Sequence, residues 1–338
     1  MTPASRCGAF RTRTGYASGS EEPLSTERIP GYSLVQRLGE GGMGQVWKAR
    51  RIGDGAEVAI KLLPAALHDD PTTRGLFLRE AILLSTLRHP NVCQLVDSGE
   101  TESGRFFFAT ELVRGPTLAQ TLMRGALPVR LALDIAAQTA RALSAAHDRS
   151  IVHRDVKPAN IMLAGETVKV LDFGVAHLLT ADDVGRAGTI YGTAAYAAPE
   201  HLAGRPCDHR ADLWSLGVVL WEMVTGQGPF AGGDASRVAR SVLDKTPPRL
   251  RDVFQGCEED GPFAPIDAIL RRTMVKFPEE RFATAAEAAE ALELARDRQP
   301  PEPSRPIPHV AQAPAVDTAV ATPRPGLLSR VAGWLQGR

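Results

Sequence analysis

His153-Arg154-Asp155-Val156-Lys157-Pro158-Ala159-Asn160, with Asp172-Phe173-Gly174 twelve residues further on, decides how this chain of 338 residues is read. The two strings bring together an acid, a lysine, an amide and a second acid beside a glycine. Helical texture precedes them. Pro128 suits a first helical turn, and Leu131, Ile135, Ala142, Leu143 and Ala146 keep one apolar face through to His147. Helices are expected again near Asp208 to Thr225 and Thr284 to Arg296. Towards the N-terminus the texture changes. Tyr32 to Leu38, Gln45 to Arg50 and Glu57 to Leu63 are short β-prone runs between glycine-rich turns, the pattern of an antiparallel meander. Phe106 to Glu111 is a further strand, and Thr72 to Leu87 reads as a helix, with Leu76, Phe77, Glu80, Leu84 and Leu87 spaced by three and four. Strands first and helices afterwards predict an α+β chain with a small β-rich lobe and a larger helical one.

Gly39-Glu40-Gly41-Gly42-Met43-Gly44-Gln45-Val46 fits G-x-G-x-x-G-x-V, which alone marks little more than a turn. No Lys-Ser/Thr follows Gly44, so a Walker phosphate loop is excluded. Val46 and Trp47 are β-prone rather than helix-opening, which argues against a Rossmann dinucleotide turn. What remains is a glycine-rich hairpin able to lie over a triphosphate, where missing side chains let backbone N–H groups approach the oxygens. In Val58-Ala59-Ile60-Lys61, strand alternation puts Ala59 and Lys61 on one face and Val58, Ile60 and Leu62 on the other. A small residue beside a lysine makes room for a flat base and sets an ammonium near phosphates.

Taken in order, these strings resemble the eukaryotic-like serine/threonine protein kinases of bacteria. The landmarks are the glycine loop, Val-Ala-Ile-Lys, Glu80 in a helix ending Arg88-His89-Pro90-Asn91, the His-Arg-Asp string, Asp-Phe-Gly, Ala198-Pro199-Glu200, Asp212 and Arg281, over about residues 31 to 296. The resemblance implies a two-lobed kinase fold at 29–296, with an N-lobe at about 29–112 and a C-lobe at about 113–296. It implies Mg²⁺ and ATP as the donor system and Ser/Thr hydroxyls of proteins as acceptors, with signal transduction as the setting. Leu38, Gly39, Glu40, Gly41, Gly42, Met43, Gly44, Gln45 and Val46, with Ala59 and Glu111, would surround the nucleotide. Lys61 would bind the α/β-phosphates, held by an ion pair with Glu80, while Asn160 and Asp172 would hold the metal ions. Asp155 would orient the substrate hydroxyl and accept its proton, and Lys157 would steady the γ-phosphate. Leu84, Leu95, His153 and Phe173 would stack into a column joining the lobes. Asp212 would accept N–H bonds from the loop, Glu200 would pair with Arg281, and Thr110 stands at the gatekeeper position. Trp214 and Trp221 read as core. Self-association for autophosphorylation in trans is expected at Thr189, with Thr180 second and Arg154 as the counter-charge. A pseudokinase or nucleotide-binding scaffold is the alternative, disfavoured because no essential family residue is missing. Small-molecule kinases of the antibiotic-phosphotransferase type usually lack Lys-Pro-x-Asn and Ala-Pro-Glu, both present here.

Composition narrows the setting. Lys plus Arg and Asp plus Glu number 39 each, so no bulk charge draws the chain to nucleic acid or anionic lipid. Cys7, Cys93, Cys207 and Cys257 lie far apart without a CxxC, which argues against a zinc site or disulfide framework and for a reducing interior. Leu213 to Val224 is broken by Glu222 and is too short for a bilayer span of about 20 residues. No signal peptide or transmembrane segment is read, and a cytoplasmic location is expected. Residues 1–28 read as a disordered arm, 297–326 as a Pro-rich extended linker, and 327–338 as a short tail with amphipathic character.

Overall fold

The β-prone runs of the N-terminal third close into one antiparallel sheet. The computed structural model describes residues 27–41, 44–64, 75, 81–173, 194–230, 232–254 and 263–299. Strands β1 (Tyr32–Gly41), β2 (Gly44–Arg51), β3 (Glu57–Leu62), β4 (Leu95–Glu100) and β5 (Phe106–Glu111) lie in the order β1-β2-β3-β5-β4. The expected alternation along β3 holds. Val58, Ile60 and Leu62 are wholly buried against Trp47, Val96 and Phe107, while Ala59 and Lys61 face the cleft between the lobes. At the β1–β2 turn Gly41 pairs with Gly44. Gly44 has φ +107° and sits so close to β3 that a Cβ would lie 1.9 Å from the Leu62 carbonyl oxygen. Only glycine fits there. Gly42 and Met43 lie outside the described residues.

The second lobe is helical, with α1 (Leu118–Leu122), α2 (Val129–His147), α3 (Pro199–Leu202), α4 (Arg210–Thr225), α5 (Ala235–Asp244), α6 (Leu250–Val253), α7 (Ala264–Thr273) and α8 (Ala285–Asp297). A hairpin of β6 (Ile161–Ala164) and β7 (Thr167–Val170) interrupts the helices. Helix α2 buries Leu133, Ile135, Ala136 and Leu143 on the apolar face read from its spacing. Helix α4 is buried nearly all round, Trp214 and Trp221 included, so it forms the axis of the lobe. Each such large side chain contributes about 1.5–3 kcal/mol of burial. Gly217 lets α7 approach that axis, since a Cβ there would meet Thr273 Oγ1 at 2.4 Å. Two separate apolar clusters result, one beneath the sheet and one around α2 and α4.

Boundaries shift for local reasons. Helix α4 starts at Arg210 rather than Asp208, because the Asp208 carboxylate accepts from the Arg210 N–H at 2.8 Å and so stays outside as a turn. Thr284 caps α8 by accepting from the Glu287 N–H, and the helix runs one residue beyond Arg296. The arm expected over 1–28 gives its last two residues to the sheet lobe: Glu27 lies 3.5 Å from Arg105, and the Arg28 carbonyl accepts from Glu102 N–H at 2.9 Å. Of the helix expected at 72–87, residue 75 and residues 81–86 are helical, while Leu76, Phe77 and Glu80 lie outside the described residues. No helix among the described residues is long and apolar enough to cross a membrane.

Candidate active site

Between the lobes lies a cavity of about 540 Å³, lined by Leu38, Gly39, Val46, Ala59, Lys61, Thr110, Glu111, Asn160 and Asp172 among others. Of the expected nucleotide-facing set, Leu38, Gly39, Val46, Ala59, Lys61 and Glu111 line it. Gly39 faces open space, with nothing within 4 Å of where a Cβ would stand, so a ligand's atoms have room there. Glu111 does more than line the cavity. Its carboxylate accepts from Gln94 N–H at 2.9 Å and from Lys169 Nζ at 2.7 Å, so that side chain ties β5 to β7. Met162 and Leu171 line the cavity from β6 and from just beyond β7. The sequence reading missed both, because four-residue strands leave no period to detect. Cys93 also lines the cavity; desolvation pushes its thiol up to about 12, with the Glu111 charge adding, so it is a neutral wall at physiological pH.

Strand β3 delivers Lys61, which is 8% exposed and meets Asp172 Oδ2 at 2.8 Å. Asp172 has φ +57°, a left-handed conformation that aspartate tolerates better than most residues. The expected partner Glu80 lies outside the described residues. Asp155 is 4% exposed, and its Oδ2 accepts from Lys157 Nζ at 2.8 Å and from Asn160 Nδ2 at 2.9 Å. Asp155 Oδ1 is buried and finds no hydrogen-bond partner among the described residues. An unpaired buried oxygen costs about 1–3 kcal/mol, so the site holds an acceptor aimed at a donor it does not itself supply. Asn160 spends its Nδ2 on Asp155, which leaves its amide oxygen for a cation.

The loop carrying Asp155 is held from beneath. His153 Nε2 bonds the Leu171 carbonyl at 2.8 Å, and its ring packs on Phe173 with centroids 4.6 Å apart. Leu84 and Leu95, expected in one column with His153 and Phe173, line the same cavity as Phe173. Asp212, wholly buried on α4, accepts from the N–H groups of His153 and Arg154 at 2.8 Å each. Arg154 needs that hold, because its φ is +66°. Desolvation by itself would raise the Asp212 carboxyl; hydrogen bonds from His147 and the His153 backbone bring it below its ordinary value. Further out, Glu200 and Arg281 form a buried two-point ion pair at 2.7 and 2.8 Å. Desolvation lowers the pKa of His201, and the nearby Arg154 charge lowers it further. Thr180, Thr189 and Gly174 lie outside the described residues.

A nucleotide-sized cleft roofed by a glycine hairpin, with a lysine, two acids and an amide converging at its inner end, defines a phosphotransferase of the two-lobed kind. The model for the protein kinase domain matches residues 32–291. The serine/threonine-protein kinase PknA of Mycobacterium tuberculosis is 38% identical over 301 residues, covering 87% of this chain and 68% of that protein. PknJ of the same organism is 36% identical over 329 residues, covering 91% of this chain and 54% of the relative. The crystal structure of the M. tuberculosis PknI kinase domain matches with a TM-score of 0.61 at 29% identity, over 79% of this chain and 96% of that one. The chain belongs to the protein kinase family, in the branch of bacterial serine/threonine kinases that resemble the eukaryotic enzymes.

Proposed function

We propose that this chain transfers the γ-phosphoryl group of Mg·ATP to serine and threonine hydroxyls of proteins, with Asp155 as the residue that receives the hydroxyl proton. One observation carries the reading: Asp155 Oδ1 is buried, unpartnered and fixed beside Lys157 and Asn160. A carboxylate so held can take one hydrogen bond from an incoming hydroxyl and, as the oxygen attacks phosphorus and ADP leaves, its proton. Lys61 neutralises phosphate charge from the sheet side, and Lys157 does so from the loop side. Asp172 and the Asn160 amide supply oxygen ligands of the hard type that Mg²⁺ favours, so the donor set fits that ion. Mg²⁺, when bound, supplies neutralisation of charge on the phosphate oxygens. Balanced charge and scattered cysteines support a cytoplasmic setting, which cell fractionation would test.

Incubating the purified chain with labelled ATP and magnesium, then mapping modified residues, tests the proposal. Label on serine or threonine is expected, with Thr189 first and Thr180 second, placed there by a second copy of the chain. No transfer to itself or to casein under these conditions would leave the scaffold reading in its place. Lys61→Met removes the charge and keeps an apolar side chain of similar length in a buried position. Activity is expected to fall about a hundredfold with the melting temperature little changed. Unaltered turnover would make Lys61 a structural residue. The catalytic unit is proposed to end with α8, where Arg130 Nη1 still bonds the carbonyls of Arg296 and Gln299. Deleting 300–338 should therefore keep activity on casein within a few-fold; unfolding of the shortened chain would move that boundary.

A further inference from the structure

Away from the cleft, where the sheet lobe meets the helical one, a single side-chain amide gathers several elements. Residues 91–93 run beside β7. Cys93 N–H donates to the Val170 carbonyl at 2.9 Å, Val170 N–H donates to the Asn91 carbonyl at 2.8 Å, and Val92 bridges Val170 in parallel. The stretch leading into β4 of the sheet lobe therefore borrows an edge of the β6–β7 hairpin. Gln138, midway along α2, clamps that edge. Its Oε1 accepts from Val168 N–H and from Asn91 Nδ2, at 2.8 Å each. Its Nε2 donates to the Glu166 carbonyl at 2.9 Å and to Asp134 Oδ2 at 2.8 Å. A backbone N–H only donates, so the oxygen end of the amide is fixed at Val168. A side-chain amide has two acceptor positions and two donors, and Gln138 uses them all. Asp134 is held in turn, its Oδ1 accepting from Arg296 Nη1 of α8 at 2.7 Å.

We infer that Gln138 is a positioning residue for phosphoryl transfer, its amide setting the register of residues 91–93 on β7 and so the placing of Asp172 against Lys61. The reasoning is one of continuity. β7 runs on through Leu171 to Asp172, whose Oδ2 meets Lys61 Nζ at 2.8 Å. Residues 91–93 run on into β4, which pairs with β5, and β5 pairs with β3, the strand that carries Lys61. Gln138 Oε1 touches both routes at once. Asn91 closes the arrangement, its Nδ2 donating also to the Val168 carbonyl at 2.9 Å.

A slip between the two stretches would leave the Val168 N–H without its acceptor. Val168 is 2% exposed, so water does not replace the bond. A second tie limits the effect of losing the first. Lys169, whose side chain points to the other face of β7, bonds the Glu111 carboxylate at 2.7 Å. That pair stays in place when Gln138 is changed, so the strand loosens rather than leaves.

This inference rests on the reading of Lys61 and Asp172 as the phosphate end of the site, so it is measured twice, first without turnover. In the full-length chain, free of nucleotide and metal, Gln138→Leu should speed deuterium uptake in residues 89–95 and 161–172 and leave α4 protected. On casein with Mg·ATP, the same variant should lower kcat about tenfold, leave the KM for casein within about twofold, and need more magnesium for its half-maximal rate. Gln138→Glu keeps the acceptor oxygens, loses both donors and sets a second carboxylate against Asp134, so it should be impaired in the same three ways. Adding Asp134→Asn supplies a donor from the other side, and its amide oxygen still accepts from Arg296. The double variant should regain most of the rate, the protection and the original magnesium requirement. If the leucine variant does not fold, the glutamate variant and its double partner carry the test, since their volumes match the wild type. Wild-type exchange and kcat in either single variant overturn the inference. So does a lowered melting temperature with kcat and magnesium requirement unmoved, which would make Gln138 a stabilising residue only. A double variant no better than Gln138→Glu also overturns it, because the amide would then owe nothing to Asp134. A wild-type chain that transfers nothing would instead sink the kinase reading, while the exchange result still decides the register.

Discussion

Asp155→Asn is expected to lower phosphoryl transfer about 10²–10⁴-fold while nucleotide affinity stays within a few-fold. The amide has the shape of the carboxylate and can still accept from Lys157 or Asn160. It cannot receive a proton at neutral pH, and it no longer carries the charge that holds the Lys157 ammonium 2.8 Å away. Asp155 is also absent from the lining of the 540 Å³ cavity, so the change leaves that lining as it is. The check pairs a transfer assay with an equilibrium measurement of ATP binding. Transfer at near wild-type rate would remove Asp155 from its assigned role, whereas joint loss of binding and transfer would mean that the loop had collapsed.

A second large effect is expected far from the cleft. Arg281 and Glu200 are 3% and 7% exposed, and their two-point pair is supplemented by bonds from Arg281 to the carbonyls of Val275, Arg210 and Lys276. The guanidinium also lies 5.3 Å from the Trp214 ring centroid. Arg281→Leu strands a buried carboxylate and three carbonyls at once, which costs about 3–5 kcal/mol. For a domain of this size that corresponds to a melting temperature lower by roughly 10 °C. The double variant Glu200→Leu, Arg281→Leu should recover part of the loss, because no charge is left buried alone. A single variant melting within a degree or two of wild type would show that solvent reaches the pair.

The uneven legibility of the chain has physical causes. β1, β2, β3 and β5 were readable because β-branched and aromatic runs end at glycines, and α2 because nineteen residues give the 3.6-residue period room to show. β4 was missed. Its Asp97-Ser98-Gly99 core reads as a turn, yet Asp97 is wholly buried, its carboxylate satisfied by the Tyr32 hydroxyl and the Ser98 N–H. Tertiary partners, not local preference, make that segment a strand. Helices α5 and α7 were also passed over, being ten residues each with too few turns to stand out. The resemblance to kinases named Asp212 and Arg281, whereas composition and spacing alone would have left both as ordinary charges. His147 stood at the end of a recognised helix, and nothing in its neighbours' spacing pointed to Asp212, sixty-five residues away.

The two apolar clusters have a consequence of a different kind. Lys61 is carried by the cluster beneath the sheet, while Asp155, Asn160 and Asp212 are carried by the one around α2 and α4. Neither cluster owns a complete centre. The chain is therefore built like a coincidence detector, in which two separately packed halves must hold the same spacing for Lys61 to meet Asp172. Silencing such a device takes no unfolding and no loss of any catalytic group; an ångström or two of disagreement between the halves is enough, on the order of the misplacement known to cost about a hundredfold in rate.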